Sequence, residues 1–416
     1  MRDVLIVGGG IAGLLESIRL IEQSKSVTLL EARDQLGGNI SSAELAGVSV
    51  DTGAESFSTI ESSMLELIGE LGLGASLAYP PEQSAKISSD EASYEIPVGF
   101  FGVPADLENS ELAGIVSASA IEQARTKDQS PFGDYETVED LILSRLGPEF
   151  LEKLVEPVVS GVHGESVTTL SANKVFGRVI KEAKATQSLT TAVRSLRPST
   201  SRPGSAVASL QGGMNSVVAA LSEKAESSGV EIKTGFFVTQ IAKRDSWQVE
   251  TNSGNFEASK LVMANGHVFE NSDFVAAPRN STSILSVAVK APELNDFPIG
   301  PGSIISRSDL TCKATTHLNA KWSWLNEQLD DSVHVVRFSF RGDVSSITDA
   351  ELALAFQKVY GVESFQVVDS RWDHWSSPAS GFQMPVKAKD LDYVGSLVSG
   401  NGLSAIVRDH YERSKH

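Results

Sequence analysis

The segment V4LIVGGGIAGLLESIRL20 constrains this chain most. Val4 to Val7 is an apolar run of strand type, and Ile11, Leu14, Leu15 and Ile18 then recur at helical spacing. A strand therefore passes into a helix through a glycine turn. Gly8, Gly10 and Gly13 fit GxGxxG, which supplies the tight turn, the close approach of backbone to a pyrophosphate and the close packing of helix on strand. The N–H groups at the helix start, around Gly9, Ile11 and Ala12, then face the phosphates. The next apolar run, Val27 to Leu30, ends at Glu31, where the ribose hydroxyls of a dinucleotide need a carboxylate acceptor. Strand, helix, strand and acid in this order predict a dinucleotide on a doubly wound sheet.

After Glu31 the chain reads EARDQLGGNI, and Gly37 and Gly38 form a second glycine stretch. V50DTGAESFS58 adds a third, at Gly53 and Ala54. A plain nicotinamide domain has no requirement for these. A cofactor that extends beyond its pyrophosphate, such as FAD, needs further places where backbone lies close to it.

A chain of 416 residues can bury a large core and is expected to hold two domains. With 35 basic and 53 acidic side chains its formal charge is −18, which argues against nucleic acid as a partner. No apolar stretch approaches a membrane span of about 20 residues, and Met1, Arg2 and Asp3 lead straight into the first strand, so no signal peptide is expected. Cys312 is the one cysteine, which leaves no disulfide, CxxC pair or cysteine metal cluster. The expectation is a cytoplasmic protein, with peripheral contact at a membrane surface left open.

The GxGxxG turn, E31ARDQLGG38 and D51TGAESF57 together resemble the flavin-containing amine oxidase superfamily, and within it the protoporphyrinogen and coproporphyrinogen oxidases. The resemblance continues through I96PVGFFGVP104, L146GPEFLEKLVEPVVSGVHGESVTTLSA172, L210QGGMNSVVAAL221, K313ATTHLNAKW322, R371W372 and G395SLVSGNGLSAIV407. It implies non-covalent FAD, held by Gly8 to Gly13, by Glu31, Ala32 and Arg33, by Gly38 and Asn39, by Gly53 to Ser56 including Ala54 and Glu55, and by Val238, Trp372, Gly402 and Leu403. It also implies oxidation of a porphyrinogen to a porphyrin in haem biosynthesis, with loss of six electrons, oxygen as acceptor and hydrogen peroxide as product. A haem-pathway partner enzyme follows from the same resemblance. The soluble coproporphyrinogen III oxidases of Gram-positive bacteria are the nearest in pattern. The chain departs from the family at Asn39, where a basic residue is usual, at His163, where Tyr is usual, and over residues 376–383.

The expected architecture is an α/β fold: a Rossmann-type FAD-binding domain of discontinuous segments, a mixed α+β substrate domain and a helical insertion. Residues 1–60, 205–275 and 385–416 would form the FAD domain, 61–204 a mainly helical substrate or membrane-surface part, and 276–384 a substrate-side sheet layer carrying one helix, Asp349 to Tyr360. The Pro, Ser and Gly of R197PSTSRPGSAVASLQGG213 read as a crossing between domains.

Only one GxGxxG occurs and no cysteine pair is present to receive electrons, so an oxidase fits better than a nicotinamide-fed reductase. The histidines show no HxH or HExxH spacing, and no metal is expected. No catalytic residue stands out. His163 could shuttle protons, or simply bond to backbone. Lys174, Arg178, Lys181 and Lys184 recur near one helix face, which could draw in a polycarboxylate or could be a solvated face. Lys174 and Arg178, with Lys86 behind them, are the candidate partners of substrate carboxylates. Alternative readings are a protoporphyrinogen IX oxidase, another flavin amine oxidase or desaturase, and a catalytically degraded flavoprotein. The loop Gly395 to Leu403 carries none of the aromatic side chains that cage an amine.

Overall fold

The computed structural model describes residues 2–415 apart from 83–84, 164, 197–206, 271–272, 307, 331, 380–381 and 383–388. The chain divides into two units, the first of residues 1–79, 206–281 and 373–416, the second of residues 80–205 and 282–372. Residues 61–79, 276–281 and 373–384, assigned from sequence to the substrate side, fall in the first unit. The predicted crossing at 197–213 lies mostly outside the described residues.

In the first unit, strand β1 (Arg2–Val7) enters helix α1 (Ile11–Glu22), and strand β2 (Val27–Leu30) follows. β1 pairs in parallel with β2 on one side and with strand Gly254–Met263 on the other, and the short strands Glu231–Lys233 and Leu391–Tyr393 extend the parallel set. Two antiparallel strands, Val238–Lys243 and Trp247–Thr251, complete the seven-stranded sheet. Because strand side chains alternate, Val4 and Ile6 join the core under α1, while Leu5 and Val7 join the opposite core with Trp247 and Tyr393. Leu14, fully buried on the sheet-facing side of α1, contributes about 1.5–3 kcal/mol of burial energy.

The second unit combines a helical core with a second seven-stranded sheet. Helix Ala172–Thr186 buries Val175, Phe176, Val179 and Ile180 on one face, the 3.6-residue period read from sequence. Beneath it Arg145, with no solvent exposure, meets Asp128 at 3.3 Å and donates to the carbonyls of Ser130 (2.9 Å) and Gln187 (2.8 Å). Asp128 also accepts from the hydroxyls of Ser188 and Thr190, each at 2.7 Å, so both buried charges are satisfied.

The sheet contains His317 and His334, both buried, with His317 Nε2 3.1 Å from His334 Nδ1 and His334 Nε2 2.8 Å from Asn295 Oδ1. Burial holds both imidazoles neutral, and because Asn295 Oδ1 can only accept, His334 then carries its proton on Nε2 and its Nδ1 accepts the Nε2–H of His317. Burial pushes their pKa values down, to about 3 for His317 and about 4 for His334.

Two readings from sequence change. The stretch expected to be mainly helical contains strands Lys86–Ser88 and Ser93–Glu95, which join this sheet, and a tight pair at Gly99–Phe100 and Val103–Pro104. Two- and three-residue strands are too short to show a period. Among the described residues the sheet layer also holds extra helical turns at Pro292–Asp296, Leu318–Lys321 and Ser323–Asn326, beside the expected helix beginning at Asp349.

Candidate functional site

The glycine turn between β1 and α1 is built from close backbone contacts. A Cβ on Gly13 would lie 1.9 Å from the carbonyl oxygen of Gly8, so no side chain fits between helix and strand there. Gly8 has φ +115° and donates its N–H to the Leu30 carbonyl at 2.8 Å, binding the turn to β2. Helix α1 starts at Gly10 without a side-chain cap and with no acid in its first turn, which leaves its first N–H groups to an external anion.

Glu31 stands at the end of β2, 7% exposed. Its Oε2 accepts the Gly9 N–H at 2.7 Å and its Oε1 accepts the Arg33 N–H at 2.9 Å. Each oxygen keeps a further lone pair, so the carboxylate is oriented and still able to accept a hydroxyl. Arg33 reaches over to the Gly38 carbonyl at 2.8 Å, and Gly37 donates to the Gly9 carbonyl at 2.9 Å. The Ala54 N–H donates to the Asn39 carbonyl at 2.8 Å, and a Cβ on Gly53 would sit 2.0 Å from that same oxygen. The three glycine stretches singled out in sequence therefore interlock by backbone contact. Glu55 and Ser56 follow, partly buried, before strand Phe57–Ser58.

A cavity of about 410 Å³ opens beside this turn, lined by Gly8, Glu31, Ala32, Val238, His267 and Phe274 among others. Its size falls in the ordinary range for ligand pockets, about 300–1,000 Å³. His267 and Phe274 were missed in sequence. They belong to the hairpin of strands His267–Glu270 and Asp273–Ala276, where the rings stack at 4.5 Å with an interplanar angle of 21°. The backbone N–H of His267 donates to Asn265 Oδ1 at 3.0 Å, while the ring Nδ1 is buried and has no partner among the described residues. Burial, and then the charge of Arg279, push its pKa below the usual histidine value. The only sequence signal was the Asn265-Gly266 break after a buried strand. An oriented carboxylate and an orphaned ring nitrogen in one aromatic-walled cavity, with the open helix N–H groups of the adjoining glycine turn, fit the sugar, base and phosphate of a nucleotide.

The C-terminal segment returns to the same unit. Gly395, at φ +88°, would place a Cβ 3.0 Å from the Ala12 side chain, and Gly402 opens helix Leu403–Ser414, again with no side-chain cap. Ser404 donates to the Ser58 carbonyl at 2.8 Å, bringing Leu403 beside the 53–58 segment. The side-chain amide of Asn39 donates to the Ser376 carbonyl at 3.2 Å, and Arg279 donates to that carbonyl at 2.8 Å and to the Ser376 hydroxyl at 2.6 Å. Two departures from the family pattern, Asn39 and the segment starting at residue 376, thus share one acceptor, with a cation supplied by Arg279.

The remaining candidates lie in the second unit. Trp372 is tilted against Phe340 with ring centroids 5.3 Å apart. Lys174, Arg178 and Lys181 are exposed along helix Ala172–Thr186, while Lys184 pairs with Asp134 at 2.7 Å. Lys86 Nζ donates to the Pro298 carbonyl at 3.3 Å. His163 ends helix Glu156–His163, and its side chain lies outside the described residues. Cys312 is buried and its thiol is pushed up to about 11 by burial. Among the described residues no three His, Cys, Asp or Glu side chains are grouped to hold a metal ion, and no helix is long and apolar enough to cross a membrane.

Comparison with known proteins yields concordant likenesses. The family described as flavin containing amine oxidoreductase matches residues 11–270. The coproporphyrinogen III oxidase of Mycobacterium tuberculosis is 26% identical over 396 residues, covering 90% of this chain and 86% of that protein. That of Bacillus subtilis is 24% identical over 355 residues, covering 77% and 74%. The crystal structure of an Exiguobacterium protein described as a protoporphyrinogen oxidase superposes with a TM-score of 0.81 at 19% identity, covering 100% of this chain and 98% of the other. That likeness shows a shared fold, an α/β nucleotide-binding architecture with a substrate domain.

Proposed function

The chain belongs to the flavin-containing amine oxidoreductase family, and from that premise we propose that it binds FAD non-covalently and oxidises coproporphyrinogen III to coproporphyrin III. The observation that carries this reading is the reach of the likeness. It runs over 396 residues of a coproporphyrinogen III oxidase, through segments of both units, where the family match itself stops at residue 270.

The residues of the first unit suit FAD in the following roles. The N–H groups around Gly8 to Gly13 would hold the pyrophosphate, and Glu31 the ribose hydroxyls. Ala32, Val238 and the His267–Phe274 pair would enclose the adenine. Arg33, Gly38, Asn39, the segment from Gly53 to Ser56, Gly402 and Leu403 would follow the cofactor toward its ring system, where Trp372 is the proposed neighbour. The bound flavin supplies a two-electron acceptor. Cys312, the one cysteine, is buried and held in its thiol form, which supports a cofactor free of any thioether link.

The overall reaction removes six hydrogens from the macrocycle and balances with three oxygen molecules reduced to three hydrogen peroxides. The protein's part is to orient the substrate and exclude water, and no strong base among its side chains is needed for this stepwise loss. Lys174 and Arg178, exposed and cationic on an acidic chain, suit steering of a polycarboxylate, an effect on encounter rate that salt screens. Lys86 keeps two of its three donors for a carboxylate, and the loop at His163 would form part of the pocket wall. Oxygen as acceptor, a haem-pathway partner enzyme and a cytoplasmic location complete the proposal.

A steady-state comparison tests it. The purified flavoprotein should turn over coproporphyrinogen III with kcat/KM at least about tenfold above that for protoporphyrinogen IX and release three peroxides per porphyrin. The tenfold margin corresponds to about 1.4 kcal/mol. Equal or better turnover of protoporphyrinogen would overturn the substrate assignment.

A further inference from the structure

Lys313 opens the K313ATTHLNAKW322 segment, and its backbone is held on both sides, donating to the Ser339 carbonyl at 2.7 Å and accepting from the Ile305 N–H at 2.9 Å. Its side chain stands where two cavities of about 390 and 240 Å³ adjoin, and Ile305, Lys313 and Arg341 line both. The smaller cavity is walled by Ser160 and Gly161, at the end of helix Glu156–His163. Arg341 lies close enough that its charge, after burial, is the second cause holding the Lys313 amine below the usual lysine value.

Glu152 and Glu156 stand on the helix side of the smaller cavity, and Glu351 lines the larger. Among the described residues no carboxylate pairs with Lys313 or Arg341. Lys313 is partly buried and Arg341, at its strand end, is exposed; two such neighbouring cations, neither paired to a carboxylate among the described residues, repel each other. An anion placed between them would remove that repulsion and gain charge-assisted hydrogen bonds from both.

We propose that Lys313 and Arg341 form a carboxylate-binding subsite of the second unit, which receives one acidic side chain of a polycarboxylated substrate. Its assignment to a propionate rests on the porphyrinogen reading above, whereas its affinity for a carboxylate does not.

The first experiment titrates flavin-loaded protein with coproporphyrin III and reads quenching of porphyrin fluorescence. Lys313→Met and Arg341→Met should each weaken binding about tenfold or more, from loss of one charge-assisted bond. Lys313→Arg should stay within about threefold of wild type, since it keeps the charge. Flavin content should be unchanged in all three, which separates the effect from misfolding. Dissociation constants within twofold of wild type in both Met variants would overturn the subsite.

The second experiment follows labelling of Lys313 by trinitrobenzenesulfonate, located by peptide mass, with citrate as the competing carboxylate. Citrate should slow labelling of Lys313 in wild type and have no such effect in Arg341→Met. If wild type binds no porphyrin, the porphyrinogen reading fails and citrate protection alone decides the subsite. Absence of protection overturns it.

Discussion

The backbone N–H of Gly9 donates to Glu31 Oε2 at 2.7 Å, which ties the glycine turn to the end of the neighbouring strand. The turn therefore holds its shape through the carboxylate that is proposed to meet the ribose. Glu31→Ala removes a charge-assisted acceptor worth about 1.5–3 kcal/mol and should raise the FAD dissociation constant about 10- to 100-fold. Glu31→Gln keeps an acceptor for Gly9 and should lose less. Titration of the apoprotein with FAD, read by flavin fluorescence, checks both, and an unchanged constant in Glu31→Ala would remove Glu31 from the site.

Gly13→Leu should abolish flavin retention, because its Cβ alone would lie 1.9 Å from the Gly8 carbonyl oxygen. The measurement is the flavin-to-protein absorbance ratio after gel filtration. A ratio equal to wild type would mean that the phosphate turn lies elsewhere.

His267→Ala and Phe274→Ala should each weaken FAD about three- to tenfold, the loss of one stacking face being worth about 0.5–1.5 kcal/mol. ADP, which carries the adenosine half alone, should lose affinity in parallel. FMN binding, in contrast, should be unaffected, so a loss confined to FMN would place the hairpin at the other end of the cofactor.

The pair of His317 and His334 makes stability fall with acid. Both folded pKa values, about 3 and about 4, lie below the unfolded value of about 6.5, so the unfolded chain binds more protons between these limits. Their contribution is fully present above pH 6.5 and declines below it, by about 1.4 kcal/mol per pH unit for each ring. Protonation of His334 would also set its Nδ1–H against the His317 Nε2–H. Urea unfolding at pH 7 and pH 5 should show this slope, and His317→Gln/His334→Gln should flatten it.

Arg145→Met should cost about 3–5 kcal/mol, since it leaves the buried Asp128 carboxylate without its cation. Thermal or urea unfolding reads this directly. A loss below 1 kcal/mol would show that the hydroxyls of Ser188 and Thr190 suffice.

What could be read from sequence was local. Gly8, Gly10, Gly13 and Glu31 lie within one strand-helix-strand unit, where residue order is spatial order. Helix Ala172–Thr186 was legible because its buried face repeats over 15 residues. Strand Lys86–Ser88 was not, since its partner, strand Gly302–Ile305, is supplied by distant chain. Likewise the His267–Phe274 stack exists only across a hairpin, and Lys313 meets Arg341 only through the pairing of strands Ala314–His317 and Val333–Arg341.

The central claim is that a porphyrinogen reduces the flavin of this protein, and anaerobic mixing of flavin-loaded protein with coproporphyrinogen III tests it most directly. The yellow absorbance should bleach while porphyrin fluorescence rises, with three flavins reduced per porphyrin formed. No bleaching, or bleaching by amines and not by porphyrinogens, would contradict the account.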